Sequence, residues 1–203
     1  MELFDAIKNQ VTSQLKREAS KAVNNMAQNT SQAIAKGRNH TESFTFASLP
    51  ASVAELKALP EASLDSAFKT TALCIVVLCN LEKDANATWE MLDYLKGPEI
   101  VNEREKAFIK ERLTGKQYKT LSFFKGATPE NGYTPVTPYT ITVSENPYSF
   151  DEENWATLYV TSGGADNPRP IKLRRKPSTN QWFVNEIQCL ADIRVPTEQD
   201  AWA

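Results

Sequence analysis

Apolar positions recur along this chain with two different periods, and the change falls near Gly115. Phe4, Ile7, Val11, Leu15, Ala19, Ala22 and Met26 are spaced by a mean of about 3.7 residues, the repeat of a helix that buries one stripe. No Pro or Gly interrupts the pattern before Gly37. The spacing predicts a long amphipathic helix within residues 1–38, about 45 Å if some 30 residues are helical. Residues 39–60 lose the period and read as a linker, with a short strand at 43–46 and a helical turn at 53–59. Ser63 is then placed to cap a helix over 64–81, in which Leu64, Phe68, Ala72, Ile75, Val76 and Cys79 share a face while Leu73, Val77 and Leu78 widen it almost all round. A second helix is expected over 87–96, with Trp89, Leu92 and Leu95 inward and a stop at Gly97-Pro98. Asn102 and Glu105 have capping-box spacing and open a third, Glu103–Leu113.

Beyond Gly115 the repeat shortens to two. Segments 118–124, 139–145, 155–162, 171–176 and 181–187 are rich in Thr, Val, Tyr and Trp and are separated by turn residues, which is the signature of strands. Helices followed by a run of strands predict an α+β fold: a three-helix layer, then a mostly antiparallel sheet of four to six strands, preceded by the N-terminal amphipathic helix. The corresponding domain organisation is a basic helical extension at 1–38, a linker at 39–60 and an α+β body at 61–203.

Charge sharpens this division. Of 23 Lys and Arg and 25 Asp and Glu in 203 residues, the head holds Lys8, Lys16, Arg17, Lys21, Lys36 and Arg38 against Glu2, Asp5 and Glu18, leaving the remainder acidic. An apolar fraction of 41% with 24% charged residues is that of a globular protein. The longest apolar run, TTALCIVVLCNL (70–81), falls short of the roughly 20 residues needed to cross a bilayer. The opening MELFDAIKNQ lacks the basic start and apolar stretch of a secretion signal, so a cytoplasmic location is expected. Cys74 and Cys79 sit in the most apolar segment and read as reduced core residues.

Several stretches resemble a family of uncharacterised bacterial proteins, mainly from Gram-positive anaerobes: MLDYLKGP (91–98), SFFKGATPENGYTP (122–135), TSGGADNPRPIKLRRK (161–176) and DIRVPTEQDAWA (192–203). The resemblance spans 49–203 and omits the basic head. It implies a cytoplasmic bacterial domain and carries over no activity and no catalytic residue.

The residues themselves exclude familiar chemistries. The only histidine, His40, lies in the polar linker with nothing apolar expected to hold it, so Ser-His and Cys-His catalysis would require that linker to fold back. Ser162 in TSGG lacks the flanking glycines and strand-to-helix turn of a nucleophile elbow and reads as a turn serine. Cys74 and Cys79 lie on different faces of their helix without companion ligands, and Asp151, Glu152 and Glu153 lack the spacing of a calcium loop. No phosphate-cradling glycine loop is present. No catalytic residue, metal or cofactor is predicted.

Three features remain. The loop 125–138, stiffened by Pro129, Pro135 and Pro138, has the length of a binding element or lid, or else forms a proline-braced crossover packed by Tyr133. Strand alternation places Lys172, Arg174 and Lys176 on one face and Ile171 and Leu173 on the other, while Trp155, Thr157, Tyr159 and Thr161 share a face opposite Ala156, Leu158 and Val160. Should the basic and aromatic faces coincide, Trp155, Tyr159, Lys172 and Arg174, with Asp166 and Arg169 nearby, would suit a flat anionic ligand; otherwise Lys and Arg stems simply cover the rings. Asp166 and Arg169 themselves read most simply as braces of their turn. The head, through Phe4, Ile7, Val11, Leu15 and Met26, must cover its stripe by self-association, by docking on a protein partner or on its own body, or by peripheral contact with an anionic membrane surface. An acidic body argues against tight nonspecific nucleic-acid binding, and no specific nucleic-acid partner is expected. The expectation is an interaction and assembly module without catalytic activity. The alternative is a small-ligand-binding protein or weak carboxylate-dependent enzyme using the SGGADNPRPIKLRR loop-strand, with Asp166 or Asp192 working beside Arg169 or Arg194. Finally, Trp202 is expected to tuck onto the body, with Pro196 directing the turn and Asp200 hydrogen-bonded or ion-paired nearby; the alternative is an exposed peptide offered to a partner.

Overall fold

Every second residue of the strands is apolar, and those residues line one side of an antiparallel sheet. The structure, a computed structural model, describes residues 39–202; the basic head with Phe4, Ile7, Val11, Leu15 and Met26 lies outside the described residues. The strands are β1 (Thr41–Phe46), β2 (Tyr139–Ser144), β3 (Trp155–Val160), β4 (Arg169–Lys176) and β5 (Gln181–Ile187), hydrogen-bonded in that order as an antiparallel meander. Phe44, Phe46, Ile141, Val143, Ala156, Leu158, Val160, Ile171, Leu173 and Val184 are buried on the inner side.

The helices are α1 (Val53–Lys57), α2 (Ala67–Leu78), α3 (Ala85–Lys96), α4 (Glu103–Leu113) and the single turn α5 (Tyr118–Leu121). Helix α2 lies across all five strands. Its sequence AFKTTALCIVVL is buried at every position except Lys69, which is why its apolar residues run almost all round rather than along one stripe. Two buried threonines are satisfied by backbone carbonyls: Thr71 Oγ1 donates to Ala67 O at 2.9 Å, and Thr70 Oγ1 to Trp182 O of β5 at 3.0 Å. Each fully buried Leu, Ile or Val of such a helix contributes about 1.5–3 kcal/mol.

Several boundaries differ from expectation for local reasons. Ser63 ends a 3-10 turn, Pro60–Ser63, and Leu64 takes a left-handed conformation with φ 56°. Ser66 is therefore the residue that caps α2, accepting the Phe68 amide at 3.2 Å. Asp84 caps α3 two residues earlier than expected, accepting the Ala87 amide. In α4 both halves of the Asn102–Glu105 capping box form, and the helix keeps its expected bounds. Segment 118–124 is not a strand: four residues after Gly115 turn helically, and only Phe124 makes a bridge, to Ile141. Its Thr and aromatic content belongs to packing instead, with Tyr118 stacked on Tyr133.

The stretch expected as a linker, 39–60, contains β1, paired with β2 along its whole length, and α1, whose Leu56 is fully buried. His40 is not without an apolar neighbour either. Its ring meets Phe68 edge-on at 5.1 Å, and its Nε2 lies 2.9 Å from Glu42.

Candidate functional site

The outer side of the sheet is divided into two halves of different chemistry. On β1 and β2 it carries hydroxyls, where Ser43 faces Thr142 at 3.1 Å and Thr45 faces Thr140 at 3.3 Å. On β3 and β4 it carries aromatic rings and cations, because the register sets Trp155 opposite Arg174 and Thr157 opposite Lys172. The Lys172 ammonium lies 4.9 Å and the Arg174 guanidinium 5.1 Å from the centroid of the Trp155 ring. Both distances are within cation–π range, and at exposed positions each such contact contributes about 0.5–1 kcal/mol. Tyr159 stands on the same face opposite Pro170. Thus four of the six ligand-binding candidates, Trp155, Tyr159, Lys172 and Arg174, share one surface.

Asp166 and Arg169 belong to another arrangement. Instead of bracing only their own turn, they reach across to the chain near the C-terminal end: Arg194 pairs with Asp166 at 3.1 Å, and Arg169 donates to the Asp192 carbonyl at 2.7 Å with its carboxylate at 3.8 Å. These crossed pairs sit beside a junction of three segments. Ser162 Oγ donates to Ser122 Oγ at 2.8 Å, which in turn donates to Lys119 O at 2.7 Å. The Gly163 amide donates to Ser122 O, and the Arg194 amide to Gly164 O. A Cβ on Gly163 would collide with the Ala127 carbonyl, and one on Gly164 with the Tyr133 hydroxyl and Ile193. Ser162 is a turn serine held by a second serine.

Tyr133 is the centre of this junction. It is fully buried, has φ 58°, and donates its hydroxyl to Arg194 O at 2.7 Å. Burial pushes its phenol up to about 12. The surrounding loop is tied by Asn131, whose Oδ1 accepts the Thr128 and Thr134 amides and whose Nδ2 donates to Gly126 O. Loop 125–138 is therefore the braced crossover rather than a lid.

A cleft that no spacing in the chain announces adjoins the aromatic-basic face. It encloses about 270 Å³ between the Pro98–Glu99 turn and the β4–β5 hairpin, with Phe183, Arg174, Lys176 and Pro177 among its walls. Three local features build it. Gly97 ends α3 with φ 66°, and a Cβ there would collide with the Phe183 ring, so the turn lies directly against that ring. A bulge between Lys172 and Leu173 leaves Asn185 out of the ladder register. The Asn185 carbonyl is taken instead by the nearly buried Lys96 ammonium, at 3.1 Å, which also pairs with Glu105 at 2.7 Å. Spacing in sequence gives no hint of these meetings; only the Gly97-Pro98 stop signal was visible.

Two other concavities are described. One, of about 240 Å³, opens where β2 and β3 diverge and the chain 122–127 wedges between them; the other, of about 460 Å³, lies beside Leu81, Ala85 and Lys110. None of the three is lined by Asp166, Arg169, Asp192 or Arg194. Among the described residues, no group of three or more His, Cys, Asp or Glu could hold a metal ion, and no helix is long and apolar enough to cross a membrane. Cys74, Cys79 and Cys189 are free and buried, and burial pushes the Cys74 and Cys79 thiols up to about 12.

The fold and surface define an α+β domain whose antiparallel meander is covered by helices on one side and presents hydroxyl, aromatic and basic groups on the other. The chain belongs to the family described as a domain of unknown function (DUF6935), whose model matches residues 48–197. No curated protein and no solved structure matches it. The match begins at residue 48, past the basic head and β1.

Proposed function

We propose that the body is a recognition module without catalytic activity that binds an anionic partner across the outer face of β3 and β4. The observation that carries this reading is the register of Trp155 with Arg174, which sets two cations against one ring and leaves Tyr159 on the same surface. Charge and a flat apolar face together suit a partner with negative groups on a planar or stacked framework. An acidic chain that carries a local basic patch favours selective over indiscriminate polyanion binding. In this reading the basic head mediates assembly, through self-association, a protein partner or an anionic membrane surface, and the protein works in the reducing bacterial cytoplasm. The free, buried cysteines fit that setting.

The competing reading, a weak carboxylate-dependent enzyme, has less support, since Asp166 and Asp192 are spent on Arg194 and Arg169 outside the described clefts.

Retention of the full chain on phosphocellulose tests the face. Lys172→Glu with Arg174→Glu is expected to elute at clearly lower salt than the native protein, with unchanged circular dichroism. Equal retention sinks the reading. For the head, light scattering after size exclusion compares the full chain with one starting at Thr41. Identical monomers, with no head-dependent pelleting on anionic liposomes and no head-dependent partner pull-down, count against assembly.

A further inference from the structure

The geometry points to the cleft beside Gly97 as a second, separate binding site, for a small organic carboxylate with a flat apolar body. This goes beyond the anion-binding face, with which it shares only Arg174.

Its floor is the Phe183 ring, held from one side by Gly97. Pro98 and Pro177 stand at its rims, and Arg174 and Lys176 supply positive charge. Lys96 also lines it, but that ammonium is committed to Glu105 and Asn185 O. The register sets Arg174 opposite Phe183, so a ring and a cation stand side by side, the arrangement that orients an amphipathic ligand: rings over Phe183, acid toward the guanidinium. The cleft, of about 270 Å³, has the size to take a fused bicyclic acid.

The protein already places a carboxylate at this point. Glu99, in the turn that forms one wall, lies 3.7 Å from Arg174, and both side chains are more than half exposed. A long, solvated pair of this kind is weak and readily exchanged. A ligand carboxylate can therefore replace Glu99 on Arg174 without uncovering a buried charge, and Glu99 swings into water. Glu99 acts as an internal competitor that sets the threshold for binding.

The test is a heteronuclear NMR titration of the full chain with 2-naphthoate, using 2-naphthylmethanol as the neutral control. Saturable shifts are expected at millimolar naphthoate, confined to 96–99 and 174–185, with no saturation by the alcohol. Glu99→Gln removes the competitor and is expected to tighten binding about two- to fivefold, the scale of one exposed ion pair. Phe183→Leu keeps an apolar floor but loses its flatness, and is expected to weaken binding severalfold with the fold retained. The proposal is overturned if naphthoate does not saturate, if the alcohol binds equally well, or if Glu99→Gln binds no tighter. Shifts centred on Trp155 also overturn it and place the ligand on the outer face. Lys172→Glu separates the two sites: it is expected to elute from phosphocellulose at lower salt than the native protein while naphthoate still binds in the cleft.

Discussion

The junction around Tyr133 and the outer face around Trp155 are both built from the distinctive segments of this sequence, yet they differ in where their polar groups are satisfied. At the junction the partners are internal: Ser162 to Ser122, Gly163 to Ser122, the Tyr133 hydroxyl to Arg194 O, and Asn131 to four different backbone groups. At the face the cations rest on a ring and on one long ion pair to Glu99. Glycines and polar residues packed without slack hold segments 122–133, 161–169 and 192–194 together. Cations left with weak partners are free to meet something else. Distinctive sequence can therefore mark either assembly of the fold or recognition, and the hydrogen-bond partners separate the two.

The sharpest way to break this comparison is to truncate each centre. Tyr133→Ala removes a fully buried ring, its stack on Tyr118 at 5.6 Å and its hydrogen bond. The expected cost is about 3–5 kcal/mol, a fall in melting temperature of roughly 10 °C or more. Lys172→Ala with Arg174→Ala, which removes two cation–π contacts to one ring, should shift stability by no more than about 1–2 kcal/mol. Calorimetry that finds equal losses from both would end the distinction.

The Lys96–Glu105 pair lies between these extremes. The Lys96 side chain is 5% exposed and that of Glu105 34%. Glu105→Gln leaves a nearly buried ammonium with Asn185 O as its remaining partner here. Breaking a fully buried pair costs about 3–5 kcal/mol, and the partial exposure of Glu105 lowers this to roughly 1–2 kcal/mol. Because that ammonium also closes the bulged end of β5, hydrogen exchange should rise first around Asn185. If exchange rises uniformly, the pair does not act locally.

Alkaline pH offers a finer probe of the junction. The Tyr133 phenol, at about 12 in the fold, lies above the ordinary tyrosine value of about 10. Between those values the unfolded chain has lost the proton and the folded chain keeps it, so the native state binds more protons and stability falls as pH rises. Cys74 and Cys79, also at about 12, add a fall of the same sign that begins near pH 9, the ordinary range of a thiol being about 8.5–9. Melting temperature should therefore be unaffected by these groups below pH 8 and decline above 9. In a native sample the buried thiols should not react with a disulfide reagent until the chain unfolds. Rapid thiol reaction at neutral pH would show that the core opens.

What the sequence made legible follows from how far apart the interacting residues are. Helix α4 kept its expected bounds because Asn102 and Glu105 form their box within one turn. The inward and outward residues of β3 and β4 were readable because alternation is a local property. The encounter of Trp155 with Arg174 was open, since it depends on the register between strands. The cleft was invisible because Gly97, Phe183 and Asn185 meet only through the end of α3 and a bulge in β5. Segment 118–124 misled for the opposite reason. Its β-prone composition serves a stack on Tyr133 and one bridge to Ile141, neither of which is a strand.

The smallest expected effect corrects the expectation for Trp202. Its side chain is 96% exposed, and the one contact described for the residue is its own amide donating to Asp200 Oδ1 at 2.9 Å. Upstream, Pro196 leads into a 3-10 turn, Thr197–Gln199, which packs near the turn Pro129–Asn131 of the braced loop. The packing ends with that turn, so the chain is anchored by Ile193 and the Tyr133–Arg194 bond rather than by the tryptophan. A chain ending at Gln199 should therefore lose less than about 0.5 kcal/mol and melt within roughly 2 °C of the full chain. Ending it instead at Asp192 removes Ile193 and Arg194 and should lower the melting temperature severalfold more. A large loss on removing Trp202 alone would mean that the ring packs on the body in solution, and would move the edge of the junction to the last residues described.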